Sequence, residues 1–375
     1  MRYRRFGKTN LPLSVFSCGT MRCLASFEDA YQTVHQAVAL GINHLETARG
    51  YGKSEEYLGA ALAAGLPQSR EQLYITTKLP PSSDADTMRR WIDESLLNLR
   101  TDFVDCLAIH GLNTWEHLNW VQADGGCMQA VQESVADGRV RHVGFSTHGS
   151  LEVILAAIKT DLFEFINLHY YYFFQRHAPA VELANQKDMG IFIISPADKG
   201  GLLYTPPETL QHLCHPFSPL ELTYRFLLSD RRITTLSLGP ANPKELKECL
   251  AVAECDKPLT PQEITVFDRL QAHLGGISPD LCSQCYACLP CPENINIPEI
   301  LRLRNLAVAY DMTDYGQYRY RMFENAGHWF PGMKGDRCTD CGDCLPRCPE
   351  QLDIPALLRD SHQRLNGQPR RRLWE

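Results

Sequence analysis

Short β-branched runs alternate with longer amphipathic stretches from the N-terminus to about residue 252, which is the pattern of repeated βα units around a parallel sheet. The apolar runs predict strands at Leu13 to Ser17, His44 to Thr47, Tyr74 to Thr77, Val104 to Ile109, Val140 to Phe145, Phe165 to Leu168, Ile191 to Ser195 and Thr235 to Leu238. Helical periodicity lies between them, as in Asp29 to Leu40, Thr87 to Leu99, Met128 to Asp137 and Leu151 to Lys159. Eight βα units in roughly 250 residues predict a closed (β/α)8 TIM barrel, of the α/β class, rather than an open doubly wound sheet. No G-x-G-x-x-G turn follows the first strand, which also disfavours the open sheet. Ahead of the barrel, Tyr3 to Phe6 and Leu11 to Ser14 flank Gly7-Lys8-Thr9-Asn10 and predict a hairpin that closes the barrel floor. After it, Thr260-Pro261-Gln262-Glu263 combines an N-cap, a first-turn proline and a capping-box acid. A helix is predicted from there to about Leu274, ended by Gly275, Gly276 and Pro279, with domains at 1–275 and 276–375.

Composition narrows the class. The chain has 375 residues, 44% hydrophobic and 22% charged, enough to bury a sizeable core. Its net charge of -7 and the lack of a long basic run argue against nucleic acid as a partner. Arg370, Arg371 and Arg372 read as a solvated tail. No apolar run approaches the roughly 18 residues of a membrane span. The stretch Leu11 to Cys18 is interrupted by Pro12 and Ser14, unlike a secretion signal, so the expectation is a protein of the cytoplasm.

Cysteine changes the picture most. Eight of the fifteen crowd into two runs, an arrangement that points to metal rather than disulfides. Cys18, Cys23, Cys106, Cys127, Cys214, Cys249 and Cys255 are scattered and read as small buried hydrophobes. The second run, Cys338-x2-Cys341-x2-Cys344-x3-Cys348-Pro349, matches the bacterial ferredoxin pattern for 4Fe-4S clusters. The first, Cys282-x2-Cys285-x2-Cys288-x2-Cys291-Pro292, is one residue shorter before its last cysteine. Three soft thiolates on one tight loop meet three corners of a cubane, and the fourth iron needs a ligand from elsewhere. Structural zinc is the competing reading, but it uses well-separated cysteine pairs. Resemblance to two-cluster ferredoxins implies Cys282, Cys285, Cys288 and Cys348 on one cluster and Cys338, Cys341, Cys344 and Cys291 on the other. The 46 residues from Pro292 to Arg337 exceed the spacing of compact βαββαβ ferredoxins, so a mainly α-helical dicluster domain is expected, with a helix from Ile297-Pro298-Glu299 to Ala309. Its aromatic residues, among them Tyr310, Tyr315, Tyr320, Phe323 and Phe330, are expected to shield the clusters from water.

The run Ile42-Asn43-His44-Leu45-Glu46-Thr47-Ala48-Arg49-Gly50-Tyr51-Gly52-Lys53-Ser54-Glu55 resembles aldo-keto reductases, as do Arg2 to Leu11 and Val143-Gly144-Phe145-Ser146. With the cysteine runs, the chain resembles the branch of that family carrying a C-terminal two-cluster ferredoxin-like domain. The resemblance implies a tetrad of Glu46, Tyr51, Lys78 and His110, all at C-terminal strand ends, where barrel enzymes build their sites. Tyr51 would donate a proton to a carbonyl oxygen. A phenol of pKa about 10 is a weak acid at neutral pH, and an ammonium about 4 Å away, that of Lys78, would lower it. Glu46 would hold Lys78, and His110 would bond the carbonyl oxygen. For NADP(H), the resemblance implies contacts from Gly19, Thr20, Ser146, Ser195, Lys199, Gly239, Asn242, Glu245 and Glu248.

Several positions depart from the family. Glu46 stands where Asp is usual, Thr147 and Cys249 where Asn is, Leu168 where Gln is, and Ile194 where an aromatic ring is. Hydride carries two electrons and each cluster one, so a direct relay needs a two-to-one converter, and no flavin motif is present. Three functions follow. One is an NADP(H)-linked enzyme reducing a small carbonyl substrate or oxidising an alcohol, with clusters that are structural, sensing or joined to a redox partner such as a ferredoxin or flavoprotein. The second is a reductase fed by the clusters without nicotinamide. The third is a non-catalytic electron-transfer or binding module. Leu112 to Gly126, with Trp115 and Trp120, reads either as substrate mouth or as packing.

Overall fold

A computed structural model describes residues 1–277 and 280–367, with the backbone alone for 247–250. Pro279 and the Arg370–Arg372 cluster lie outside the described residues. Among the described residues, backbone contacts divide the chain into two units, one of Met1–Gly200 with Thr223–Pro258, the other of Gly201–Leu222 with the residues from Leu259 to Gly367.

The first unit opens with strands β1 (Tyr3–Arg5) and β2 (Pro12–Ser14), an antiparallel pair. Eight parallel strands then close a barrel: β3 (Phe16–Gly19), β4 (His44–Glu46), β5 (Tyr74–Leu79), β6 (Val104–His110), β7 (Val140–Ser146), β8 (Phe165–Leu168), β9 (Gly190–Ile193) and β10 (Thr235–Leu238), which pairs back onto β3. The first barrel strand starts later than the predicted Leu13. Pro12–Ser14 is taken by the hairpin, and the Val15 amide bonds Arg2 O at 3.0 Å. The seventh ends earlier than the predicted Ser195, which takes the left-handed conformation (φ 43°) ahead of Pro196. Phe6, at the hairpin turn, packs with Leu13, Cys106, Ala108, Phe165 and Phe192 at the barrel floor. Gly190 permits this, because a Cβ there would fall 2.3 Å from the Phe6 ring.

Three helices on the barrel's outside, Phe27–Ala39, Ala85–Leu99 and Trp115–Gln122, begin with side-chain caps. Ser26 Oγ accepts from Asp29 N, and Asp84 accepts from the amides of Asp86 and Thr87. Their inward faces are apolar, as in Val34, Ala37 and Val38 of Phe27–Ala39.

In the second unit Thr260 and Glu263 form the predicted capping box, Thr260 N bonding Glu263 Oε2 at 2.6 Å and Glu263 N bonding Thr260 Oγ1 at 3.2 Å. The helix Pro261–Ile277 runs through Gly275 and Gly276 rather than stopping near Leu274, since neither glycine takes the left-handed conformation that ends a helix. Beyond it lie helices Ile297–Tyr310, Thr313–Tyr320 and Ile354–Leu365. All residues of Ile297–Tyr310 except Val308 are buried, charged ones included, so each charge is matched. Arg302 bonds both oxygens of Glu299 at 2.6 and 2.8 Å, and Arg304 bonds Asp360 at 2.6 Å.

An internal repeat underlies this unit. Cys291-Pro292-Glu293-Asn294-Ile295-Asn296-Ile297-Pro298 parallels Cys348-Pro349-Glu350-Gln351-Leu352-Asp353-Ile354-Pro355. In each copy the polar residue at the fourth position is left-handed (Asn294 φ 55°, Gln351 φ 53°), and Asn or Asp precedes a helix with proline in its first turn. Among the described residues no helix is long and apolar enough to cross a membrane.

Candidate active site and cluster-binding loops

The β4–β5 edge of the barrel mouth carries three of the four tetrad residues. Glu46 ends β4, Tyr51 sits on the turn after it, and Lys78 lies near the end of β5. That turn is tied down by Tyr51 N to Ala48 O at 3.0 Å and Arg49 N to Lys78 O at 3.2 Å. An ammonium has three N–H bonds, and Lys78 aims them at the Glu46 carboxylate, at Thr47 O (2.7 Å) and at Tyr51 Oη (3.4 Å). The His110 ring, at the end of β6, stands edge-on to Tyr51 with centroids 5.5 Å apart.

Burial governs the acidities here. It pushes the Tyr51 phenol above its usual value, and the nearby Lys78 charge pulls it back only in part. For Lys78, burial acts to lower the ammonium, but the Glu46 carboxylate and Tyr51 outweigh it and the pKa is raised. Glu46, longer by a methylene than the family's Asp, fits because Gly19 has no side chain. A Cβ on Gly19 would lie 2.9 Å from Glu46 Oε2, the oxygen that accepts from Ser237 Oγ at 3.3 Å. Thr20 is engaged structurally, its hydroxyl reaching Glu46 O at 3.1 Å and Ser54 Oγ at 2.5 Å.

Across the mouth, Ser146 Oγ accepts from Gly111 N at 3.0 Å. The Thr147 hydroxyl donates to Leu112 O at 2.8 Å and accepts from Gly149 N at 3.0 Å. One residue before Leu168 lies Asn167, fully buried, with no hydrogen-bond partner on either side-chain amide atom among the described residues. Phe165 on the same strand belongs to the barrel core, so alternation turns Asn167 and then His169 to the interior face. Asn167 is not among the residues the sequence singles out, although the period-two pattern Phe165, Asn167, His169 is there to find. His169 Nε2 faces His148 Nε2 at 3.2 Å. Tyr171 Oη donates to Ile194 O and therefore accepts from His169 Nδ1, so a neutral His169 accepts from His148.

The expected distal cofactor residues are locked into their own loop. Arg22 bonds Gly239 O at 2.7 Å and Glu245 Oε2 at 3.0 Å, and Glu245 also accepts from Ala241 N at 3.1 Å. Asn242 Oδ1 accepts from Lys244 N at 3.0 Å, and Ser195 O from Lys199 N at 3.0 Å. The side chains of Glu248 and Cys249 lie outside the described residues.

In the second unit the eight cysteines are free thiols. Burial and then Cys282, Cys285 and Cys344 push Cys288 up to about 12, while burial, Cys285 and Cys348 raise Cys282. Cys344 is raised by burial, then by Cys338, Cys341 and Cys291. The groups close enough to act on one another are therefore Cys282, Cys285, Cys288 and Cys348, and Cys338, Cys341, Cys344 and Cys291, with Cys288 and Cys344 adjoining. The second group also lines a single pocket with Glu293, Thr339 and Arg347. Among the described residues, no three His, Cys, Asp or Glu side chains converge as ligands of one metal ion. Left-handed Gln284 (φ 63°) and Asp340 (φ 54°) occupy equivalent places in the two runs, and Gln284 Nε2 donates to Cys282 Sγ at 3.3 Å.

Comparison with known proteins agrees with this architecture. A model of the aldo/keto reductase family matches residues 17–272. The chain belongs to the aldo/keto reductase family. A 4Fe-4S dicluster domain model matches residues 281–352, so this family member is an oxidoreductase with an iron-sulfur ferredoxin-type domain. A 6-dehydroglucose reductase of Novosphingobium aromaticivorans is 32% identical over 161 residues, 38% of this chain and 51% of that protein. The match therefore spans about half of that relative's length. An L-galactose dehydrogenase of Arabidopsis thaliana is 26% identical over 287 residues, 66% of this chain and 86% of that protein. The holo form of aldo-keto reductase AKR11C1 from Bacillus halodurans shares the fold with a TM-score of 0.63 at 21% identity, covering 72% of this chain and 96% of that one.

Proposed function

We propose that this aldo/keto reductase reduces the carbonyl of a small polyhydroxylated substrate, or oxidises the corresponding alcohol, with Tyr51 as proton donor and NADP(H) as hydride carrier. The observation that carries the reading is the Tyr51 hydroxyl bonded to the Lys78 ammonium, with the His110 ring edge-on to the Tyr51 ring. Sugar-like substrates are favoured by the names of two relatives, a 6-dehydroglucose reductase and an L-galactose dehydrogenase.

Reduced nicotinamide, when bound, supplies hydride to the carbonyl carbon. The buried Asn167 amide, one position before Leu168 where the family's Gln is absent, would be available to bond the carboxamide of that ring. The proton leaves Tyr51 Oη for the carbonyl oxygen, and Lys78, already bonded to Tyr51, stabilises the phenolate left behind. Its raised pKa keeps Tyr51 protonated at neutral pH, so the donor is loaded and its acidity depends on Lys78 at the moment of transfer. Glu46 keeps Lys78 charged. The cluster thiols would bind iron as thiolates, with Gln284 donating to Cys282.

Anaerobic titration with NADPH, followed by turnover of a panel of aldehydes and keto-sugars, tests this. Saturable binding and turnover that Tyr51→Phe abolishes are expected. A second reading, electrons delivered by the clusters without nicotinamide, is favoured by the Thr147 hydroxyl being engaged with Leu112 O and by Ile194 replacing an aromatic ring. It would be supported by absence of NADPH binding together with turnover driven by reduced ferredoxin.

A further inference from the structure

Barrel interiors are usually filled by branched aliphatic side chains. One layer of this barrel is polar instead. Ser17, His44, Thr76 and Thr235 each lie two residues before Gly19, Glu46, Lys78 and Ser237 on β3, β4, β5 and β10, so strand alternation sets them on the same inner face, one layer lower. All four are buried, none more than 1% exposed. His44 joins them: Nδ1 meets Ser17 Oγ at 2.6 Å and Nε2 meets Thr76 Oγ1 at 2.7 Å, while Ser17 Oγ meets Thr235 Oγ1 at 2.7 Å. One imidazole therefore links the four adjacent strands whose next inward residues hold the Glu46–Lys78 pair.

We propose that His44 is a positioning residue: a neutral imidazole that, with Ser17, Thr76 and Thr235, holds these strand ends in register so that Lys78 stays within reach of both Glu46 and Tyr51. The proposal rests on the reading of Tyr51 as proton donor and adds a residue that touches neither substrate nor cofactor.

Three observations support it beyond the bonds themselves. First, replacing such a layer by apolar residues of similar volume is commonly neutral or stabilising, so stability alone does not explain its polarity. Second, the groups around His44 keep it neutral. Phe6 and Phe192 pack on it at centroid distances of 6.5 and 5.4 Å, and burial, then the Lys78 charge, lowers it to about 3. The Cys106 thiol, on the neighbouring strand β6, is pushed up by burial and stays protonated. Third, the bond the layer would protect is the longest of the three that Lys78 makes, 3.4 Å to Tyr51 Oη, so a small shift of β5 breaks it first.

The test uses the full-length chain labelled with 3-fluorotyrosine, the Tyr51 fluorine resonance being assigned by its loss in Tyr51→Phe. In His44→Leu the Tyr51 titration midpoint is expected to rise by about half a pH unit or more, as an ammonium moving from about 4 to 5 Å would cause. His44→Gln, which keeps one polar link, is expected to recover part of the shift. With NADPH and glyceraldehyde as probes, kcat should fall at least roughly tenfold in His44→Leu with KM little changed. A folded His44→Leu protein with an unmoved Tyr51 midpoint would overturn the proposal. If His44→Leu does not fold, Thr76→Val cuts one link at nearly constant volume, and its Tyr51 midpoint decides in the same way. The resonance is read without substrate, so absence of turnover in the unmodified chain would count against the proposed activity while the Tyr51 midpoint still decides the role of His44.

Discussion

Lys78 and Glu46 form an ion pair whose side chains are 1% and 5% exposed, and removing either partner strands the other in the barrel. Breaking a buried pair costs about 3–5 kcal/mol. At roughly 2–4 °C per kcal/mol for a unit of this size, Lys78→Met should lower the barrel's melting temperature by on the order of 10 °C. The pH dependence is the sharper prediction. In Lys78→Met the lone Glu46 carboxyl has a folded pKa above its unfolded value of about 4.3, so the deficit grows as pH rises, by about 1.4 kcal/mol per unit until the folded pKa is passed. In Glu46→Gln the lone Lys78 keeps Thr47 O and Tyr51 Oη but loses its counter-charge, so its folded pKa drops and the deficit grows as pH falls from about 10. In the unmodified chain the raised Lys78 contributes stability that is fully present below its unfolded pKa and is lost as pH rises through the folded value. Melts followed by circular dichroism from pH 5 to 9 should show opposite slopes for the two variants, and the double variant should recover much of the loss. Parallel slopes, or losses under about 2 °C in both, would refute the burial argument.

Further expectations follow from other parts of the molecule. Cys291→Ser and Cys348→Ser should each cut iron and acid-labile sulfide from about eight to about four per chain, with one of two low-temperature spin-resonance signals lost; zinc without sulfide would contradict the cluster assignment. Phe6→Ala empties the barrel floor and should cost about 3–5 kcal/mol in urea unfolding. Tyr320→Phe leaves the Gly335 amide, now bonded to Tyr320 Oη at 2.8 Å, without its partner just ahead of Cys338, and should destabilise the second unit by about 1–3 kcal/mol in the same assay.

Much of this was legible in the order of residues. The barrel's period-two strands, the capping box at Thr260, the helical character of the dicluster domain and the two dense cysteine runs follow from local patterns with few physical solutions, whereas the exchange of Cys291 and Cys348 between the runs was implied only by the resemblance to two-cluster ferredoxins. A CxxCxxC run closes on itself, and an alternating apolar run buries one face. The repeat around Cys291 and Cys348 was equally open to inspection. Other features were not local. The reach of Glu46 depends on Gly19 and Ser237, which lie on neighbouring strands far apart in the chain. That Asn167 rather than Leu168 faces inward depends on register, where one residue's difference turns a side chain to the opposite face. The net direction of Tyr51's acidity was beyond pattern reading, because burial and the Lys78 charge oppose each other and only the packed barrel sets how much water is excluded. Sequence by itself determined which chemical groups exist and which elements carry them; the tertiary structure decided which groups meet and how dry their meeting place is, since distance and desolvation are properties of the closed barrel and not of any segment of it.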